Sequence, residues 1–129
     1  MATKVGKMTD KLSLRQVKHF SEAVKNILDN AISYAPENAY IDLVLKKAEE
    51  SYILSIHNSG TAISEEEKGR IFTKFYRSDD AKRLLPEGSG LGLFYAKSCI
   101  EVSGGKIWFE SEKGKGTTFF ISIPLSNKS

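Results

Sequence analysis

From residue 13 to residue 34 the apolar positions recur at steps of three and four. Phe20, Ala23, Val24, Ile27, Leu28 and Ala31 fall on one face, which predicts a long amphipathic helix. Pro36 ends it, because the residue before a proline is pushed out of the helical region. Residues 40–46 and 51–57 change to a strand pattern, rich in β-branched and aromatic side chains, and the polar turn 47–50 between them predicts a hairpin. Ser64 with Glu67 three positions on has the form of a capping box, predicting a short helix that runs toward Ile71. Residues 79–89 mix charges with Pro86 and Gly88 and read as a loop. Residues 90–102 are helical again, with Gly104 and Gly105 as the stop signal. Strands at 106–110 and 117–124 flank the turn 112–116. This order predicts an α+β, two-layer sandwich: a mixed, mostly antiparallel sheet covered on one face by about three helices.

Composition narrows the class. A chain of 129 residues makes one domain the expectation, spanning 1–129, with 1–12 as a flexible lead. With 40% hydrophobic residues it fits a globular rather than a disordered chain, and at this size it can bury roughly two-thirds of its unfolded surface without a staple. The net charge of +3 is too mild to argue for nucleic acid or a membrane surface. One cysteine, Cys99, excludes an internal disulfide and any multi-cysteine metal site. No apolar run approaches the ~20 residues of a membrane span, and no signal-peptide core opens the chain, so a cytoplasmic location is expected.

Three features stand apart from core packing. Asn26 and Asn30 lie one helical turn apart on the same face. Asparagine is a mediocre helix former, and two amide oxygens at this spacing suit a hard cation such as Mg²⁺; two solvated surface residues would show the same spacing. The run Gly88-Ser89-Gly90-Leu91-Gly92-Leu93 opens directly into a helix, where backbone amides can approach a phosphate. It is not a P-loop, since no Gly-Lys-Ser/Thr follows, and no strand precedes it as in a dinucleotide-binding fingerprint. A plain flexible loop would also read this way. The third feature, Asn58-Ser59-Gly60-Thr61-Ala62-Ile63, sets a polar side chain at a strand end before a tight turn, as ligand sites and ordinary turns both do.

Taken in order, these segments resemble the ATP-binding catalytic domain of sensor histidine kinases, in the superfamily shared with DNA gyrase, a heat-shock chaperone and mismatch-repair ATPases (the Bergerat fold). Val24-Lys25-Asn26-Ile27-Leu28-Asp29-Asn30-Ala31-Ile32-Ser33-Tyr34 is similar to the family's N box, and residues 58–63 stand where its first glycine box belongs. Ile71-Phe72-Thr73-Lys74-Phe75-Tyr76-Arg77 resembles the F box, residues 88–93 the second glycine box, and Gly114-Lys115-Gly116-Thr117-Thr118-Phe119 the closing element. The resemblance covers about residues 18–124. It implies ATP and Mg²⁺ as cofactors, with Asn30 as the metal ligand, Asn26 near the phosphates and Arg77 on a phosphate. It further implies Tyr34 in the adenine pocket, residues 79–89 as a lid, and nucleotide contacts from Asn58, Gly60, Ala62, Ile63, Gly88, Ser89, Gly90, Leu91, Gly92, Leu93 and Thr117. Phe72 and Phe75 are expected to anchor the lid on the core. The implied activity is transfer of the γ-phosphate to a histidine on a separate dimerisation domain, for delivery to a response regulator. The isolated domain is expected to be monomeric, with no nucleic acid and no direct membrane contact.

The sequence departs from the family pattern at three places. The first glycine box reads Asp-x-Gly-x-Gly, its aspartate accepting from the adenine amino group; here Asn58 and Ala62 replace the aspartate and the second glycine. A neutral acceptor is worth about 1 kcal/mol less than a charged one, close to a tenfold loss of affinity. Ser33 replaces a lysine that many members carry. The phosphoacceptor histidine is also missing: His19 lies on the first helix and His57 at a strand end, neither in the acidic, proline-containing context it needs. Cys99 reads as a small core residue and Trp108 as packed in the sheet. Two other readings use the same fold: a degenerate pseudokinase domain serving as a protein-interaction module, and a serine-kinase anti-sigma factor. A nucleic-acid module would need a basic stripe with interleaved aromatics, which the sequence lacks.

Overall fold

The first helix is set by its own start. In the computed structural model, which describes residues 11–34, 36–60, 62–74, 76 and 92–126, helix α1 spans Leu14–Tyr34. Ser13 is its N-cap: the Gln16 N–H donates to Ser13 Oγ at 3.1 Å, and the Ser13 N–H donates back to Gln16 Oε1 at 2.8 Å. This reciprocal pair satisfies two backbone donors that a helix leaves open. Gln16 is buried, and its Nε2 also donates to the Pro124 carbonyl at 2.7 Å, fastening the helix start to the end of the last strand. The Ser126 N–H donates to the Lys11 carbonyl at 2.7 Å in the same corner.

Strands β1 (Ile41–Lys47), β2 (Ser51–Asn58), β3 (Lys106–Glu112) and β4 (Gly116–Pro124) form one sheet in the order β1-β2-β4-β3, with every neighbour antiparallel. Side chains alternate between faces, so one face of β4 carries Thr117, Phe119, Ile121 and Ile123, all buried. Leu54 and Ile56 of β2 and Ile107 of β3 join them through the register pairs Leu54↔Ile121, Ile56↔Phe119 and Ile107↔Ile121. Helix α2 (Gly92–Val102) and α1 cover this face together, contributing Ala96, Cys99 and Ile100 from one and Ala23 and Ile27 from the other. His19 Nδ1 and Ser103 Oγ, 2.9 Å apart, join the two helices at the far end.

The turn after α2 needs two glycines for different reasons. The N–H of Gly105 donates to the Ile100 carbonyl at 2.9 Å and that of Gly104 to the Glu101 carbonyl at 3.0 Å, with Gly104 at φ +81°. This is a Schellman ending, which calls for a left-handed residue. At Gly105 the constraint is space, since a Cβ there would stand 2.1 Å from the Ser122 carbonyl oxygen.

The α+β sandwich is as expected: among the described residues the sheet is antiparallel throughout and two α-helices cover it. One expectation is corrected here. The short helix expected from Ser64 is instead a run of turns bonded Ser64–Glu67, Glu67–Arg70, Arg70–Thr73 and Thr73–Tyr76, at 2.8–3.0 Å. The Glu67 carboxylate, which would have closed the capping box, accepts from the Tyr76 hydroxyl at 2.9 Å, and Lys68 donates to the Ser111 carbonyl at 2.9 Å. Gly69, a poor helix former, weakens the local preference in the same stretch. Trp108 does pack on the sheet, but on the face away from the helices, stacked on Phe120 at 5.3 Å and 12°.

Gln16→Ala removes the capping partner of Ser13 and leaves the Pro124 carbonyl without its donor. The expected loss is about 2 kcal/mol, seen as a lower urea midpoint with an unchanged slope.

Candidate functional site

The two asparagines of α1 sit on the flank between its buried face and solvent, because Ala23, Ile27 and Ala31 take the inward positions. Asn26 is half-buried, and its Nδ2 donates to the Glu22 carbonyl one turn back at 2.8 Å. Its amide oxygen faces α2: a Cβ on Gly92, the first residue of that helix, would stand 3.4 Å from Oδ1. Asn30 lies one turn further on, half-buried, and its amide has no hydrogen-bond partner among the described residues. A half-buried amide with no partner is open to a ligand, which is the condition a shared ion or phosphate requires. Among the described residues no group of three or more His, Cys, Asp or Glu could hold a metal. An ion held by Asn30 alone among the described residues would complete its shell with water and a ligand's own oxygens.

The second half of the site is built at the end of β2. Asn58 is the last residue of that strand, paired with Thr117 of β4 on the core-facing side. Its Oδ1 accepts from the Gly60 N–H at 2.8 Å, turning the chain sharply out of the strand. Ser59 secures the same corner, donating through its N–H to the Tyr40 carbonyl at 3.1 Å and accepting at Oγ from the Tyr40 N–H at 2.9 Å. Gly60 is pressed against the segment that follows α1, since a Cβ there would come within 2.5 Å of Pro36 Cδ. From the other side Gly116, at φ +84°, lies where a Cβ would meet the Asn58 carbonyl oxygen at 2.0 Å. The closing glycine is thus required by both its dihedral and its neighbour.

The loop then returns to the sheet. The Ile63 N–H donates to Ser111 Oγ at 2.6 Å, and Ser111 Oγ is in turn 2.8 Å from Thr117 Oγ1 and 3.3 Å from the Gly116 carbonyl. Ser111 therefore joins β3, β4 and the post-β2 loop. Ala62 and Ile63 are half-buried along this loop, and Leu93 is half-buried in the first turn of α2, packed with Ile63 against the core. Phe72 stands edge-on to Phe109 and Phe119, with ring centroids 6.0 and 6.2 Å away.

The structure thus gathers Asn58, Gly60, Ala62, Ile63 and Thr117 around one strand end, and sets Asn26 against Gly92 at the start of α2. Arg77, Gly88, Ser89, Gly90 and Leu91, residues 79–89 expected as a lid, Phe75 and the side chain of Tyr34 lie outside the described residues. Sequence reasoning missed Ser111, and no local signal could have found it, since its partners are all distant in the chain or across the turn. A cleft of about 450 Å³ between α1 and β2, lined by Phe20, Val24, Leu28, Ile32 and Leu54, holds none of the predicted site residues. His57, expected beside the site, has its Nδ1 2.8 Å from Thr118 Oγ1 on the opposite sheet face. On α2, the neighbouring Cys99 side chain raises the Tyr95 phenol above its ordinary pKa, with the Glu22 carboxylate adding to the effect. That group stays neutral near pH 7.

Residues 15–127 match the family of histidine kinase-, DNA gyrase B- and HSP90-like ATPases. The chain belongs to this family of ATPases, and within it to the catalytic domains of sensor histidine kinases. It is 38% identical over 109 residues to the probable sensor kinase SilS of Salmonella typhimurium, and 35% identical over 110 residues to the sensor histidine kinase WalK of Bacillus subtilis. These stretches cover 84% of this chain but 22% and 18% of the two relatives, so the chain spans about a fifth of their length. Among solved structures it resembles the mycobacterial sensor histidine kinase MprB, with a TM-score of 0.73 at 28% identity, covering 84% of this chain and 73% of that one. It also resembles the catalytic domain of the histidine kinase ThkA, with a TM-score of 0.69 at 31% identity, covering 83% and 67%. The expected fold and family are borne out, and the comparisons lend no support to the pseudokinase or anti-sigma readings.

Ser111→Ala leaves the Ile63 N–H without its acceptor. Hydrogen exchange at the Ile63 amide is expected to speed up by about tenfold, with Ile56 in the centre of β2 unchanged.

Proposed function

We propose that this domain holds ATP with Mg²⁺ between the C-terminal half of α1, the end of β2 and the start of α2, and offers the γ-phosphate to a histidine on a separate dimerisation domain. The observation that carries the reading is the pair of half-buried amides on α1: Asn26 turned toward the first residue of α2, and Asn30 with no partner among the described residues. Bound nucleotide and ion would supply the transferable phosphoryl group and the charge that screens it.

The chain's own share is positioning. Asn30 offers one amide oxygen to the ion, which suits a metal that keeps several waters and phosphate oxygens. Asn26, its Nδ2 bonded to the Glu22 carbonyl, would turn its amide oxygen toward the ion and phosphates at the start of α2. Asn58, Gly60, Ala62, Ile63, Thr117 and Tyr34 form the base end. Arg77 supplies a permanent charge to a phosphate, and residues 79–89 with Gly88, Ser89, Gly90, Leu91, Gly92 and Leu93 close over the nucleotide. The accepting imidazole comes from another domain, and a response regulator receives the phosphoryl group in turn. No described helix is long and apolar enough to cross a membrane. We place the domain on the cytoplasmic side as a monomeric module.

Calorimetric titration with ADP and a non-hydrolysable ATP analogue tests this. Micromolar binding that weakens by about tenfold or more without Mg²⁺ is expected, with the Mg²⁺ dependence lost in Asn30→Ala. Absence of binding heat with Mg²⁺ present would refute the reading.

A further inference from the structure

An asparagine amide has two unlike ends, an oxygen that accepts and an NH₂ that donates. In Asn58 the assignment of the two is fixed by a neighbour. The Gly60 backbone N–H can only donate, and it points at Oδ1 from 2.8 Å. The NH₂ group therefore lies on the other side, and among the described residues nothing accepts from it. Where the family pattern has an aspartate, a second carboxylate oxygen would occupy that side. The substitution thus turns an acceptor into a donor at one point in space.

Turning the amide over would restore the acceptor but would set NH₂ against the Gly60 N–H, donor facing donor. The turn is close-packed on both sides: a Cβ on Gly60 would stand 2.5 Å from Pro36 Cδ, and one on Gly116 2.0 Å from the Asn58 carbonyl oxygen. A free donor needs an acceptor on the base. The Watson–Crick edge of adenine carries two neighbouring groups of opposite kind: the 6-amino group, which donates, and ring N1, which accepts. On that edge only N1 matches.

Resting on the nucleotide reading above, we infer that Asn58 recognises adenine by donating from Nδ2 to ring N1, and does not read the 6-amino group. The site then selects for an unprotonated ring nitrogen. A 6-oxo purine is rejected because its N1 carries a hydrogen, while a purine lacking the 6-amino group keeps the required acceptor. Restoring the aspartate reverses the preference, since a carboxylate accepts from the amino group and repels the N1 lone pair.

The experiment is calorimetric titration, with Mg²⁺, of the native chain and of Asn58→Asp. The probes are ADP, purine riboside diphosphate, 1-deaza-ADP and inosine diphosphate. For the native chain, purine riboside diphosphate is expected within about threefold of ADP, and 1-deaza-ADP and inosine diphosphate weaker by about tenfold or more. For Asn58→Asp the first two are expected to exchange places, with purine riboside diphosphate weakened and 1-deaza-ADP close to ADP. A urea midpoint matching the native chain shows that the variant is folded. If ADP binds but loss of the 6-amino group costs the native chain about tenfold while 1-deaza-ADP does not, Oδ1 accepts from both Gly60 and the base and the inference falls alone. If ADP binds neither chain, the nucleotide reading falls with it.

Discussion

The domain depends on the alternation of β4. That strand lies inside the sheet, between β2 and β3, and every second residue from Thr117 to Ile123 is buried. A shift of one residue in its register would send Phe119, Ile121 and Ile123 to the solvent face and bring Phe120 and Ser122 into the core. Its two ends do different work. Pro124 takes the hydrogen bond of Gln16 and so fixes where α1 begins. Gly116 fits against Asn58 and so fixes where the candidate base contact stands. Packing and function are tied to one strand's phase.

The helices divide their surfaces in a corresponding way. The inward positions of α1 are small or branched, which lets the helix settle close to the sheet and to α2. The next positions around the helix carry Asn26 and Asn30, at the boundary between interior and water. A polar group at that boundary retains exchangeable hydrogen bonding without the full cost of burial. The post-β2 loop follows the same rule: the Gly60 and Ile63 N–H groups are taken by Asn58 and Ser111, and the Asn58 NH₂ has no acceptor among the described residues.

Much of the fold was legible in the sequence because it follows from periodicity. The long helix and the four strands lie within a few residues of where apolar spacing placed them, and α2 starts at Gly92 against an expected 90. The misses share a cause. Ser13 and Gln16 carry a capping signature as clear as that of Ser64 and Glu67, yet only the first pair closes, because Glu67 is engaged by Tyr76 and Lys68 by Ser111. Partners beyond the turn decide between two similar local signals. The same holds in the site: Asn58 and Thr117 were readable as motif positions, whereas the role of Ser111 and the direction of the Asn58 amide depend on contacts across the sheet.

The stacked pair of Trp108 and Phe120 has an optical consequence. The chain has one tryptophan, and it lies on the sheet face that the helices leave bare, 38% exposed. Its emission follows the integrity of the β3–β4 pairing, through which its ring is held over Phe120. The candidate site is on the other face, so that emission is screened from occupancy by the thickness of the sheet itself. Native fluorescence is therefore a gauge of folding alone, and an optical report of ligand would require a chromophore introduced on the helical side.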